Sequence, residues 1–444
     1  MPSETTTQNV NHLPADMEEA FRCLRLASRS LRALSSEAKN RSLLAIADDV
    51  ALAESEILSA NADDLKRLNA EAAPAYRDRL TLTSARIKGM VESLRQVAAL
   101  PDPVNEVVEE RILENGLRVR RVRSPLGTIF MIFESRPNVI LEAFSLAFKT
   151  GNAIALRGGK ESAGTATVLY ALIKKALARS GVNETSFYGM NDYDRSHVEK
   201  LLKRKDIIDI VVPRGGEKLI AFVEETSLMP IIKNDRGLCH AYIDESADLE
   251  MAVRIVENGK TQRPGVCNSL ETVLVHRSVA EKFLPMLYKA TAAKSLEWKV
   301  DESSRTFLTD MAHVSPASDK DWDTEHLEMI LNCKIVESVD EAITHIERHG
   351  SRHSETIITA NASNARYFQT EVDAAAVYWN ASTRFTDGFE LGLGGELGIS
   401  TQKLHVRGPV GLRELTTPRW IIDGTGQIRR ASALRSFTCA VRWA

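Results

Sequence analysis

The residues of this chain that could do chemistry are a cysteine in a glycine-containing loop, two glycine pairs flanked by cations, and a spaced set of histidines. Cys267 stands in Thr261-Gln-Arg-Pro-Gly265-Val-Cys267-Asn268. Gly265 lets the backbone come close, and Arg263 would favour a thiolate, a setting that suits a nucleophile. A lone cysteine also serves as a small hydrophobe, and the residues alone leave both readings open. The pairs Arg157-Gly158-Gly159-Lys160 and Pro213-Arg214-Gly215-Gly216 fall where a strand passes into a helix. Free N–H groups there, with a cation alongside, suit a phosphate; glycine pairs also simply turn the chain. Two of them at the strand ends of one sheet favour a nucleotide. His345, His349 and His353 are four apart, but Gly350 and Ser351 should end their helix after His349. The three then share no face, and no metal is expected.

These residues need a framework of parallel strands. Leu126 to Phe133 is a nearly continuous apolar run, as a strand buried on both faces requires. Ala153–Leu156, Ile207–Val212 and Met229–Ile232 repeat it, with helical stretches at Ser162–Arg179 and Glu217–Glu225 between them. A second set comprises Ala241–Ile243, Thr272–Val275, Glu355–Thr359 and Ala376–Trp379. Both sets read as doubly wound α/β domains. Before them, Glu37 to about Leu68 is helical, with Ile46, Val50, Ala53 and Ile57 on one face. Asn115-Gly116 is expected as a type I′ turn in a hairpin over Arg111–Val122 that is polar on both faces and suited to pairing with another subunit. Asp423-Gly424 suggests a second hairpin.

Composition narrows the class. At about 150 residues per domain, 444 residues make two or three domains. Lys plus Arg number 57 and Asp plus Glu 60, a net charge of −3, which argues against a nucleic-acid or anionic-membrane surface. The basic run Arg118–Arg123 therefore reads as an exposed face or a subunit contact. The first residues lack a secretory pattern and no apolar run approaches a bilayer span, so a cytoplasmic protein is expected. The five cysteines form no C-x-x-C pair, which disfavours a disulfide framework or a zinc site. Neither G-x-G-x-x-G nor a P-loop occurs, and Gly392-Leu-Gly394-Gly395 has the wrong spacing, so ATP chemistry loses its main support.

Several segments together resemble the γ-glutamyl phosphate reductase family, a branch of the aldehyde dehydrogenase superfamily. They are Phe133-Glu-Ser-Arg-Pro-Asn138, Lys149-Thr-Gly-Asn…Arg157-Gly-Gly-Lys160, Val212-Pro-Arg-Gly-Gly216, Lys260-Thr-Gln-Arg-Pro-Gly-Val-Cys-Asn268 and Asn380-Ala-Ser-Thr-Arg-Phe-Thr-Asp-Gly388. Ser400 to Pro409 and the stretch His349-Gly-Ser-Arg-His-Ser-Glu355 add to them. The resemblance runs from about residue 20 to about residue 425.

The resemblance implies an aldehyde dehydrogenase-like α/β fold of two doubly wound domains with a β-hairpin oligomerisation flap. Residues 1–237 would be the cofactor-binding domain with the flap at 105–123, 238–410 the catalytic domain, and 411–444 a segment returning to the flap. It implies NADPH-dependent reduction of an acyl phosphate, glutamyl 5-phosphate, to the semialdehyde and phosphate in proline biosynthesis, through a thioester on Cys267. Arg157, Gly158, Gly159 and Lys160 would meet the adenosine end, a cation at 160 favouring the 2′-phosphate of NADPH. Arg214, Gly215 and Gly216 would lie at the pyrophosphate, and Glu325 on the nicotinamide ribose. Asn138 would be the second oxyanion donor beside the Cys267 N–H, with Arg136 for the leaving phosphate or substrate carboxylate. Arg384 and Asp387 would take the amino-acid end. Asn234 stands where related enzymes carry the deacylating base, so water should turn the thioester over slowly. A homo-oligomer is expected, with association to a glutamate kinase as a further implied partner. Two other readings are an NAD(P)-dependent aldehyde oxidiser, which Asn234 argues against, and a catalytically silent assembly protein, which Cys267, both glycine pairs and Glu325 argue against.

Overall fold

The structure, a computed structural model, describes residues 13–69, 74–233, 236–309 and 311–429. Its first sheet has four parallel strands in the order Phe187–Gly189, Ala153–Arg157, Thr128–Phe133, Ile210–Arg214. All six residues of Thr128–Phe133 are buried, as its unbroken apolar run requires. Register places Ile132 beside Arg157 and Phe133 beside Arg214, so the two glycine pairs leave the sheet on either side of Phe133. The chain order reverses at that strand, the place where open α/β sheets hold ligands. Helices Ala15–Leu31, Ser36–Leu52, Glu54–Arg67 and Ser84–Ala99 contribute to the same core, with Phe21 edge-on to Phe130.

The second sheet has seven parallel strands, ordered Val314–Pro316, Glu297–Val300, Ile330–Val336, Leu270–His276, Cys239–Ile243, Ser354–Ile358, Ala376–Trp379. Helix Leu249–Thr261, capped by Asp248 on the Met251 N–H, runs into the loop that carries Cys267 and then into the fully internal strand Leu270–His276. The end of the expected catalytic segment 238–410 and the residues after it turn back: Leu397 and Val410, then Leu412 and Leu415, pack into the first core.

The third sheet is the flap. Val107–Ile112 pairs antiparallel with Arg118–Pro125, which pairs antiparallel with Thr416–Asp423. Its loop corrects the expected turn. The Leu113 carbonyl accepts the Gly116 N–H at 2.8 Å. Gly116 has φ +83° while Asn115 stays outside the left-handed region, so a tight turn ends on one left-handed glycine instead of two left-handed residues. Arg118, Arg120 and Arg123 pair with Glu110, Asp423 and Glu106, which uses the basic run within the sheet. Among the described residues no strand follows Gly424, so the expected second hairpin has one arm there. Two other readings shift. The helix expected over 37–68 is two helices that break at Ala53, and Met229–Ile232 makes only an isolated bridge at Ile231.

Candidate active site

Gly159 lines a cleft of about 560 Å³ together with Tyr76, Phe133, Glu134, Arg157, Lys160 and Arg195, with Val198, Leu219 and Phe222 as an apolar wall. Arg157 lies over the Tyr193 ring and donates from Nη2 to the Tyr193 carbonyl at 3.1 Å, which fixes its guanidinium at the cleft wall. Gly159 is compelled by space: a Cβ there would sit 2.2 Å from the Ser135 Oγ. Gly216 caps helix Glu217–Thr226, and its N–H donates to Glu134 Oε1 at 2.7 Å. A cleft with flat apolar walls, an exposed helix start and the cations Arg157, Lys160, Arg195 and Lys218 fits a phosphorylated dinucleotide. Arg195 and Lys218 carry no local signal, because each joins the cleft only through the fold.

Cys267 is half-buried on the other side of this strand end. Its carbonyl accepts a hydrogen bond from the Cys239 thiol at 3.2 Å. Gly237 presses on the same peptide, where a Cβ would fall 1.5 Å from the Cys267 carbonyl oxygen. The Gly237 N–H donates to Glu325 Oε1 at 2.8 Å, so the chain that touches the cysteine also holds Glu325. Asn268 ties the loop to the 383–386 segment: its Nδ2 donates to the Thr386 carbonyl at 2.8 Å, and the Thr383 hydroxyl donates to the Asn268 carbonyl at 2.7 Å.

The electrostatics differ from the sequence expectation. Burial first, then Glu325 and Glu396, push the Cys267 thiol up to about 12, against the pull of Arg214. The free site therefore holds a thiol, and the cation acting on it is Arg214; Arg263 is exposed on the cavity rim. Arg214, expected at the pyrophosphate, has its side chain engaged within the protein. It is absent from the cleft lining, donates from Nη1 to the Leu397 carbonyl at 3.1 Å and pairs with Glu142 at 3.4 Å. Burial, Arg214 and Arg79 hold the Arg136 guanidinium down at about 10, while Cys267 acts on it from the other side. Arg384 is lowered by burial and also feels Cys267; its Nε donates to Gln262 Oε1 at 3.0 Å. Arg214 thus acts on the sulfur, and Arg136 and Arg384 are each acted on by it.

Of the other expected residues, Asn138 is exposed at the start of helix Asn138–Lys149 and lines a cavity beside Arg136. Asp387 turns its carboxylate to the N–H groups of Phe389 and Glu390 at 2.9 and 3.3 Å. Asn234 lies outside the described residues. Glu396 was not foreseen: burial and Asp387 raise its carboxyl to about 7, and it acts on Cys267. The histidines disperse. Helix Val339–His349 does end at Gly350; His345 packs against His240, His349 Nδ1 meets Asp323 at 2.9 Å, and His353 is buried beside Cys239. Among the described residues no three potential ligands gather as a metal would need, and no helix is long and apolar enough to cross a membrane.

Comparison with known proteins gives one answer. The aldehyde dehydrogenase family model matches residues 3–317. The γ-glutamyl phosphate reductase of Carboxydothermus hydrogenoformans is 48% identical over 404 residues, 91% of this chain and 97% of that one. That of Salmonella newport is 45% identical over 414 residues, 93% of this chain and all of its own. The crystal structure of γ-glutamyl phosphate reductase from Thermotoga maritima superposes with a TM-score of 0.90 at 42% identity, covering 93% of this chain and 100% of that one. A glycolyl-CoA reductase engineered with eight mutations and solved with NADP+ shares the fold at 16% identity and a TM-score of 0.65. The chain belongs to the γ-glutamyl phosphate reductase family, within the aldehyde dehydrogenases.

Proposed function

We propose that this enzyme reduces L-glutamyl 5-phosphate to L-glutamate 5-semialdehyde and phosphate with NADPH, the second step of proline synthesis from glutamate. The reading is carried by Cys267 in the field of Arg214, with Arg136 and Arg384 in turn acted on by Cys267, a nucleophile among cations that suit a phosphorylated acyl group. The Cys267 Sγ attacks the C5 carbonyl, and its proton leaves toward Glu396 as the C–S bond forms. The C–O bond to phosphate breaks with its electron pair on the phosphate, which Arg136 stabilises. NADPH held by Arg157, Lys160 and the glycine turns would supply the hydride that reduces the thioester carbon. The C–S bond then breaks, releasing the aldehyde and restoring the sulfur. The Cys267 N–H and Asn138 are the proposed oxyanion donors, and Glu325 the ribose contact. Arg157 and Lys160 face the adenosine 2′-phosphate and Gly158, Gly159, Gly215 and Gly216 let phosphates approach the backbone.

With Asn234 in place of a base, the thioester waits for hydride instead of water. The same reading makes the enzyme a cytoplasmic homo-oligomer joined through the flap, with residues 1–237, 238–410 and 411–444 as its functional units and a glutamate kinase supplying its substrate. The test is the reverse reaction with glutamate 5-semialdehyde, phosphate and NADP+, set against shorter and longer aldehydes. Phosphate-dependent NADP+ reduction is expected; turnover independent of phosphate would overturn the proposal.

A further inference from the structure

A second cavity, of about 340 Å³, lies between the helical layer and Arg136, and it is lined by charges of both signs: Asp78, Arg79, Arg86, Arg136, Glu142 and Arg263. Most of these are already matched. Arg86 donates to the Asp78 carboxylate at 2.7 Å and to the Thr81 carbonyl at 2.6 Å, which locks the turn after helix Pro74–Leu80 and fixes Asp78 at the rim. Glu142 answers Arg214. Arg79 and Arg136 are different, because neither side chain has a hydrogen bond or ion pair to another described residue, both line the same cavity, and Arg79 lowers the Arg136 guanidinium. Two unmatched guanidinium groups held together in a half-buried cavity repel, and an anionic ligand relieves that repulsion. Asp78 beside them supplies the opposite charge. A cation pair next to a fixed carboxylate is the complement of a zwitterion.

We propose that this cavity, in place of the expected Arg384 and Asp387, is the α-amino-acid subsite, in which Arg79 binds the substrate's α-carboxylate and Asp78 its α-ammonium, leaving Arg136 to the phosphoryl end beside Cys267. The proposal rests on the acyl-phosphate reading and adds what makes the substrate an amino acid. Neither Arg79 nor Asp78 lies in a motif that points to catalysis; they reach the site through the helical layer, far in sequence from the cysteine.

The test uses the full chain in the reverse assay with three aldehydes: glutamate 5-semialdehyde, glutarate semialdehyde, which lacks the ammonium, and butanal, which lacks both head groups. Arg79→Ala should reduce the preference for glutamate semialdehyde over butanal, as a ratio of kcat/KM values, by at least about tenfold. Arg79→Lys should restore part of it. Asp78→Asn should reduce the preference for glutamate semialdehyde over glutarate semialdehyde while leaving the preference of glutarate semialdehyde over butanal. Equal losses on all three aldehydes, or none, would overturn the proposal. A second measurement separates this from the reaction itself: L-glutamate should slow alkylation of Cys267 in the parent and not in Arg79→Ala. That protection would uphold the subsite even if phosphate-dependent turnover failed, and its absence in the parent would sink the subsite even if turnover succeeded.

Discussion

The cleft at Arg157 and Lys160 and the surroundings of Cys267 share one strand end, Phe133 lining the first and its neighbour Arg214 acting on the second, yet they are assembled on opposite plans. The cleft grows from strand ends: Gly159 lines it, and the turns at 158–159 and 215–216 follow two strands that flank Thr128–Phe133 in a single sheet. The pocket is side-chain charge, drawn from positions 136, 214, 267, 325, 384 and 396 on separate segments. A backbone site is set once its sheet is set, and it tolerates cations varying around it. A charge site depends on every member, because each shifts the others.

The sharpest way to break this contrast is Cys267→Ala. It should lower phosphate-dependent turnover at least about 10³-fold while the dissociation constant for NADPH, followed by fluorescence, stays within twofold or so. Joint loss of both would mean that the two regions are one cooperative site. Gly237→Ala comes next. Its methyl group would overlap the Cys267 carbonyl, so the sulfur must move, and a displacement near 1 Å costs about a hundredfold in kcat. Turnover close to that of the parent, with an unshifted melting curve, would show that the loop has slack. Lys160→Glu probes the cleft alone and should move the NADPH/NADH ratio of kcat/KM toward NADH by roughly tenfold or more, with kcat little changed. An unmoved ratio would put the 2′-phosphate elsewhere, Arg195 being the next cation to replace.

The smallest effect is a pH limb. The Glu396 carboxyl, raised to about 7, keeps its proton at pH values where an ordinary carboxyl has lost it. A step that needs its carboxylate should therefore speed up as pH rises through about 7. In Glu396→Gln that limb of kcat/KM should flatten, with a plateau a few-fold lower. An unchanged limb would remove Glu396 from the proton path.

The same contrast explains what the sequence discloses. The apolar runs at 128–133 and 153–157 announce buried parallel strands, and the glycine pairs that follow them announce a cleft, since strand, turn and helix start are adjacent in the chain. Strands Phe187–Gly189, Glu297–Val300, Val314–Pro316 and Ile330–Val336 escape notice because three are short and the fourth, Ile330–Val336, is interrupted by Asn332, Cys333 and Lys334. Cys267 stands out within its own loop. Its environment does not, because Glu396, Arg79 and Asp78 acquire a role only when distant segments fold onto it. Arg214 was assigned by its neighbours Gly215 and Gly216, and its side chain serves the other side of the strand end.

The Glu134 carboxylate resting on the Gly216 N–H gives turnover a particular character. A pyrophosphate bound there, as proposed, would displace the Glu134 side chain from that amide, so that loading would exchange one acceptor for another. Grip on the dinucleotide then reflects a difference between two similar attractions, and the spent carrier leaves to a replacement that is already tethered nearby.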